Sequence, residues 1–518
     1  MKRLSSAIIL FAFAHSLAAQ APQTVGQLAE SFSTPPPSAG VYVWWHWMDG
    51  NVTRDGIRKD LLWMKDSGIA GLHQFDAGGR PVPQVISEKV HYMSPEWKED
   101  FRYAIALADS LGMEITVASA PGWSNTGGPW VTPEDAMKKL VWSVTEVQGG
   151  SVKVQLPEPP KAVGQYQDLV RTEDVEPWGR DVAVVAVKLP GNETDLGYGK
   201  VSSSTGGFTP VQLSNGSFAD AGRLPRGGWV EWEFDAPVTV KAVTVGSEGA
   251  RHGTRANPAR IRWILLAGDG KDMKRICGIP EGEISSMTLD IPPTTARRFR
   301  LENPEDGDRQ LSEFRLYSTG RVNHAEEKAG FSAPHDFASF PTPEGLEAVE
   351  DVLVLQDCMD ADGMLECKLP EGRWRIYRFG QSLTGKMNHP ASPDATGLEV
   401  DKYDPAAWER YMCKYVEMYR EAAGGMLGGR GISRILVDSY EAGQQTWTPG
   451  MQKEFEERCG YGLLRWLPAV AGEIIGSPQE TERFLWDWRR VQGELIAENY
   501  GRIGGIVARY GMQGTYLE

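Results

Sequence analysis

Residues 41–47 form an unbroken apolar and aromatic run that stops at Asp49-Gly50, a turn signal. Ile57, Leu61 and Met64 then recur at helical spacing, with Thr53 placed to cap the helix and Ser67-Gly68 to end it. The cycle repeats. Residues 69–75 are a second short apolar run, followed by Trp97, Phe101, Ile105 and Ala108 on one helical face behind Ser94 and Pro95. Gly112 closes that helix, and residues 114–118 make a third strand. Apolar runs without polar alternation fit a parallel sheet covered on both faces, joined by right-handed crossovers. The pattern predicts an α/β fold built on a (β/α)8-type TIM barrel, incomplete in this chain. An open doubly wound sheet is the other arrangement, weakened because no Gly-x-Gly-x-x-Gly follows the first strand.

From residue 140 helical patterns nearly vanish and short strands at 182–188, 229–234, 238–245, 261–266, 288–291 and 298–302 dominate. Even spacing with Gly, Pro and Asp turns predicts an inserted all-β jelly-roll or sandwich domain. Its stretch 200–318 resembles discoidin-type jelly rolls, many of which bind sugars. The organisation expected is a leader at 1–20, a first barrel part at 21–139, the β insert at 140–370 and the resumed barrel at 371–518. Residues 373–379 are taken as a fourth barrel strand and 435–437 as a fifth. The C-terminal stretch 512–518 is taken as a sixth.

Composition narrows the function. A formal charge of −15 argues against nucleic acid or an anionic membrane surface as partner. Lys2 and Arg3, an apolar run at 7–14 and small residues before Gln20 predict a signal peptide, hence a secreted or periplasmic protein. No later stretch is long and apolar enough for a membrane span. The five cysteines show no Cys-x-x-Cys pattern and are expected as buried free thiols, with a Cys358–Cys367 bridge across a hairpin as the alternative in an oxidising compartment. Eighteen tryptophans suit either core packing or stacking on sugar rings.

In a barrel, catalytic groups sit at the C-terminal ends of the strands. Here those ends carry Asp49, Asp76, Ser124 with Asn125, Asn388 with His389, Asp438 with Glu441, and Glu518. No His-x-x-x-His, Gly-x-Ser-x-Gly or Walker loop is present. Carboxylates among tryptophans point to glycoside hydrolysis, in which one carboxyl protonates the leaving oxygen and another activates water or attacks the sugar. Glu441 is the leading catalytic residue, with Asp438 either taking part or orienting it. His46, Asp76, Asn388 and His389 are candidate sugar contacts, and Trp47 and Trp123 candidate stacking platforms. Asp76, Glu399 and Asp401 serve either the site or local capping and turns.

Trp44-Trp-His-Trp-Met-Asp-Gly-Asn-Val-Thr-Arg-Asp-Gly-Ile-Arg-Lys-Asp60 resembles the N-terminal signature of glycoside hydrolase family 106, the α-L-rhamnosidases. So do Phe75-Asp-Ala-Gly78, Ala120-Pro-Gly-Trp-Ser124, Thr384-Gly-Lys-Met-Asn-His-Pro390, Ala395-Thr-Gly-Leu-Glu-Val-Asp-Lys402 and Asp438-Ser-Tyr-Glu-Ala-Gly443. The resemblance implies inverting hydrolysis of terminal α-L-rhamnosides of oligo- or polysaccharides, with calcium dependence. It implies Glu441 as general acid and Glu518 as general base, with Asp76, Glu399 and Asp401 as conceivable Ca2+ ligands. Other readings are a fucosidase or galactosidase on the same scaffold, or a secreted glycan-binding protein whose jelly roll does the work.

Overall fold

The computed structural model describes residues 24–35, 39–79, 82–172, 174–247, 260–270, 272–281, 286–304, 307–332, 340–349 and 351–517. The leader expected at 1–20 and the acid Glu518 lie outside these residues. Strands β1 (Val41–Met48), β2 (Ile69–Ala77) and β3 (Glu114–Ala118) alternate with helices Arg54–Asp66 and Pro95–Leu111. The local signals act as expected. The Thr53 and Ser94 side chains accept from the amides of Gly56 and Trp97, and Gly112 ends the second helix in the left-handed conformation at φ 66°.

The chain then leaves this sheet. β4 (Lys138–Gln155) and β5 (Gly179–Lys188) begin a second sheet. Next come the strands of a third, all-β region: β6 (Lys200–Ser203), β7 (Gly222–Leu224), β8 (Trp229–Gly246), β9 (Ile261–Gly268), β10 (Lys274–Pro280), β11 (Ser286–Glu302), β12 (Arg309–Leu311) and β13 (Glu313–Tyr317). Its main sheet runs β10-β9-β11-β8-β13, with β6 against β8, over a core that includes Trp232, Trp263, Phe299 and Phe314. β14 (Val352–Val354) and β15 (Met364–Leu383) return to the second sheet, whose order is β14-β5-β15-β4.

After helix Pro405–Ala422, β16 (Ile432–Val437) and β17 (Gly514–Leu517) complete the first sheet in the order β1-β2-β3-β16-β17, every pair parallel. Its core includes Ile57, Trp97, Phe101, Trp408, Tyr415 and Ile435. Helix Pro478–Ala508 joins two cores. Its first half packs Phe484, Trp488 and Val491 against the second sheet, and its last turns bring Ile503 and Val507 to the parallel sheet.

One strand assignment is corrected. Residues 373–379 lie within β15, antiparallel to β4 and β5, so the described parallel sheet has five strands. The cause is double-sided burial: Trp374 and Ile376 face one apolar cluster, while Tyr377 and Phe379 face another. Such a segment has the same unbroken pattern as a barrel strand. The four-stranded sheet is tied to the segment after β16 by buried ion pairs. Arg321 and Arg375 reach the two oxygens of Glu473 at 2.6 and 2.7 Å, and Arg375 also holds Glu193 and Glu146. All five cysteines are free. Among the described residues no helix is long and apolar enough to cross a membrane.

Candidate active site

Parallel pairing puts the C-terminal ends of β1, β2, β3 and β16 along one edge. β16 delivers Asp438 there, 3% exposed. Its Oδ1 accepts from the Ser439 amide at 2.7 Å, while Oδ2 is buried without a partner among the described residues. Burial raises the Asp438 carboxyl above the usual aspartate range, and the neighbouring Glu441 charge adds to the rise. Glu441, three residues on, is open: its side chain is 46% exposed, and Oε2 lies 3.1 Å from His389 Nε2. The other His389 nitrogen, Nδ1, is buried without a partner among the described residues.

His389 is held by a loop pinned onto the end of β3. Its carbonyl accepts from Trp123 N at 3.0 Å, and its amide donates to Ser124 Oγ at 2.9 Å. Gly122, at φ +83°, is what lets the two loops touch, because a Cβ there would stand 2.7 Å from the His389 carbonyl carbon. Asn388 is the clamp. Its Nδ2 donates to the carbonyls of Pro121 and Ala395, both at 3.0 Å, and its Oδ1 accepts from Gly397 N at 2.8 Å. Buried with these bonds made, Asn388 positions His389, which corrects its assignment as a sugar contact.

On β1, His46 faces this edge. Trp123 Nε1 donates to His46 Nε2 at 3.1 Å, so the neutral ring carries its proton on Nδ1, and burial lowers the imidazole's affinity for a second one. Trp123 is 39% exposed and available for stacking. Trp47 is not. It is 2% exposed and packs edge-on against Trp45, Trp97 and Phe101. The residue missed was Trp44, which lies two positions from His46 on the same strand face, 40% exposed, with its ring 4.6 Å from Phe75. Strand alternation separates the two tryptophans and was the signal available.

Asp76 is also corrected as a sugar contact. It is buried beneath the rim, where Oδ2 accepts from Trp97 Nε1 at 3.0 Å and Oδ1 has no partner among the described residues. Burial raises its carboxyl to about 7. Glu399 and Asp401 do not fit a calcium site. Glu399 Oε2 is occupied by Lys402 Nζ at 2.7 Å and Thr126 Oγ1 at 2.6 Å. Asp401 meets Lys138 Nζ at 3.3 Å and accepts from Tyr403 N at 3.0 Å. Ammonium groups already stand where a cation would, whereas calcium takes six to eight oxygens. Among the described residues no group of three or more His, Cys, Asp or Glu gathers as a metal site.

The sequence profile of glycoside hydrolase family 106, described as alpha-L-rhamnosidase, matches residues 33–518. A solved rhamnosidase from Novosphingobium sp. PP1Y is 38% identical with a TM-score of 0.86, over 95% of this chain and 47% of that one. A Formosa agariphila protein named "Putative beta-glucuronidase" is 28% identical over 479 residues, 92% of this chain and 29% of that protein. The chain thus spans less than half the length of either relative. With the profile match running over nearly all of its residues, the chain belongs to glycoside hydrolase family 106, the α-L-rhamnosidases.

Proposed function

We propose that the full-length protein is an exported glycoside hydrolase that removes terminal α-L-rhamnosyl units from complex polysaccharides by an inverting, two-carboxylate mechanism. The observation that carries this reading is the half-exposed Glu441 carboxyl at the parallel-sheet edge, 3.1 Å from His389 Nε2 and three residues from the buried Asp438. Glu441 donates its proton to the departing glycosidic oxygen, and His389 orients the carboxyl while that proton moves. Asp438 supports the turn that presents Glu441 through its bond to the Ser439 amide. In an inverting enzyme the base carboxylate stands roughly 6.5–9.5 Å from the acid, with water between them. Glu518 is the proposed base. The last described strand sets Leu517 beside Val437, the residue before Asp438, and Glu518 follows next in sequence. Trp123 and Trp44 supply the apolar faces for the sugar ring.

The sequential parallel order of five strands supports a closed (β/α)8 barrel in the full-length protein. The charged and apolar N-terminus supports export. The test is Glu441→Gln in the full-length protein, assayed on an aryl α-L-rhamnoside with a poor leaving group. Loss of the acid is expected to cut kcat by roughly 10²–10⁴-fold, and turnover near wild type overturns the assignment. The name of the Formosa relative favours a second specificity, so the assay panel includes aryl β-glucuronides beside fucosides and galactosides.

A further inference from the structure

The insert returns one feature to the rim that the hydrolytic scheme does not use. The segment after β4 doubles back at 163–171, closed by Arg171 N donating to Val163 O at 2.8 Å. It is fastened to the end of β15 by Gly164 N donating to Leu383 O at 3.2 Å. The loop that follows β15 begins Thr384-Gly385-Lys386 and continues to His389. Gly385, at φ +67°, is where the two segments meet. A Cβ there would stand 2.3 Å from Val163 Cγ1 and 3.3 Å from Thr172 Cγ2. Arg171 and Lys386 are therefore neighbours of the touching residues, one from each segment, and both are half-buried.

Neither side chain has an ion pair among the described residues. Among nearby buried ammonium groups, Lys402 holds Glu399 and Lys138 holds Asp401, while Lys139 donates to the Ala162 carbonyl at 2.8 Å. Burial is the force acting on Arg171, which it makes a weaker base. Lys386 is brought down to about 8, first by burial and then by the Arg171 charge, with Glu399 and Glu441 opposing. Of those two acids, Glu399 is already bonded to Lys402 and Glu441 faces His389. Two like charges held together, part-desolvated and without their own anion, are costly to the fold. Conflicts of this kind are resolved when a ligand supplies the missing charge.

We propose that Arg171 and Lys386 form a subsite for an oxyanion carried by the glycan, the carboxylate of a uronic acid unit next to the bond that is cut. The inference rests on the proposed glycosidase reading and adds to it the class of substrate. The guanidinium takes a carboxylate through two parallel N–H donors, and the lysine adds a compact point charge. A sulfate ester offers the same chemistry, so the experiment carries both.

Equilibrium binding is measured by calorimetry on the full-length Glu441→Gln protein, which removes turnover from the readout. The probes are an α-L-rhamnosyl-glucuronate disaccharide, its uncharged methyl ester, and a rhamnosyl-glucose carrying a sulfate ester. Esterification is expected to weaken binding about tenfold, equivalent to about 1.4 kcal/mol. In R171Q/K386Q, built on the same protein, that penalty is expected to fall below about twofold. Single K386Q serves as a milder variant and is expected to show an intermediate penalty. Preference for the sulfate over the glucuronate, lost in R171Q/K386Q, keeps the oxyanion subsite and overturns the uronate. No esterification penalty in the parent, or an unchanged penalty in the variants, overturns the proposal. The glycosidase reading is judged apart from this, by wild-type turnover of a neutral aryl α-L-rhamnoside.

Discussion

Where the four-stranded sheet meets the segment after β16, Glu473 is 4% exposed, while Asp438 and Asp76 at the parallel-sheet rim are each 3% exposed. Burial raises all three carboxyls, yet they end on opposite sides of their usual range. Arg321 and Arg375 overcome burial at Glu473 and hold it far below. At Asp76 and Asp438 no cation answers, and each has one oxygen without a partner among the described residues. A carboxylate whose oxygens are all engaged by arginine and tyrosine is joining two layers of the fold. One left with a free oxygen costs the fold stability and holds its proton to higher pH than an ordinary aspartate. Burial alone does not tell the two uses apart. The partners do.

The largest effect that tests this contrast is expected at the junction. Glu473→Ala leaves Arg321 and part of Arg375 buried without their anion, and is expected to lower unfolding stability by about 3–5 kcal/mol in a urea titration. The native carboxylate stabilises the protein above the ordinary glutamate range, and that contribution fades as pH falls below it. An alanine variant as stable as wild type would place the junction's strength elsewhere.

Asp76 is expected to show the opposite sign. Its folded value of about 7 lies above the 3.8 of an ordinary aspartate. Between those values the unfolded chain sheds a proton that the folded chain keeps. Wild-type stability therefore falls as pH rises through that window, by at most about 1.4 kcal/mol per pH unit. Asp76→Asn keeps an acceptor for Trp97 and removes the titration, so its stability should be flatter from about pH 4 to 7. Stability curves for the two proteins that run parallel over that range would remove Asp76 from the contrast.

The smallest effect belongs to the open face. Trp123→Ala loses the bond to His46 and an exposed ring, and is expected to raise KM about fivefold, equivalent to about 1 kcal/mol, with kcat within about twofold. A fall in kcat at constant KM would place Trp123 in the chemistry instead.

Much of the parallel sheet was legible in the chain. Thr53, Ser94, Pro95 and Gly112 mark helix ends through local bonds, and local bonds leave local patterns. His389 was placed at the rim through a barrel strand at 373–379 that is instead part of β15, so its approach to Glu441, made by the loop after β15, was not legible. What the sequence hid was long-range. β15 reads like a barrel strand because both of its faces are covered, and only its partners β4 and β5 say otherwise. Glu399 and Asp401 look like a cation site until Lys402 and Lys138 are found against them. Arg171 and Lys386, 215 positions apart (386 − 171), carry no joint pattern at all. Trp47 is a different kind of miss, since period-two alternation already set it apart from Trp44 and His46.

The stem of the insert has a consequence for how the chain reaches its fold. β4 leaves the parallel-sheet region and β15 returns to it as antiparallel neighbours, with Lys138 paired to Leu383 at the foot. Once those strands zip together, the ends of the excursion stand about 5 Å apart. The open length that must be closed to bring β3 onto β16 then shrinks to the stretches 119–137 and 384–431, and closure cost grows with the logarithm of that length. The long detour is a side branch on the folding path, and the parallel sheet assembles across it over a much shorter open chain.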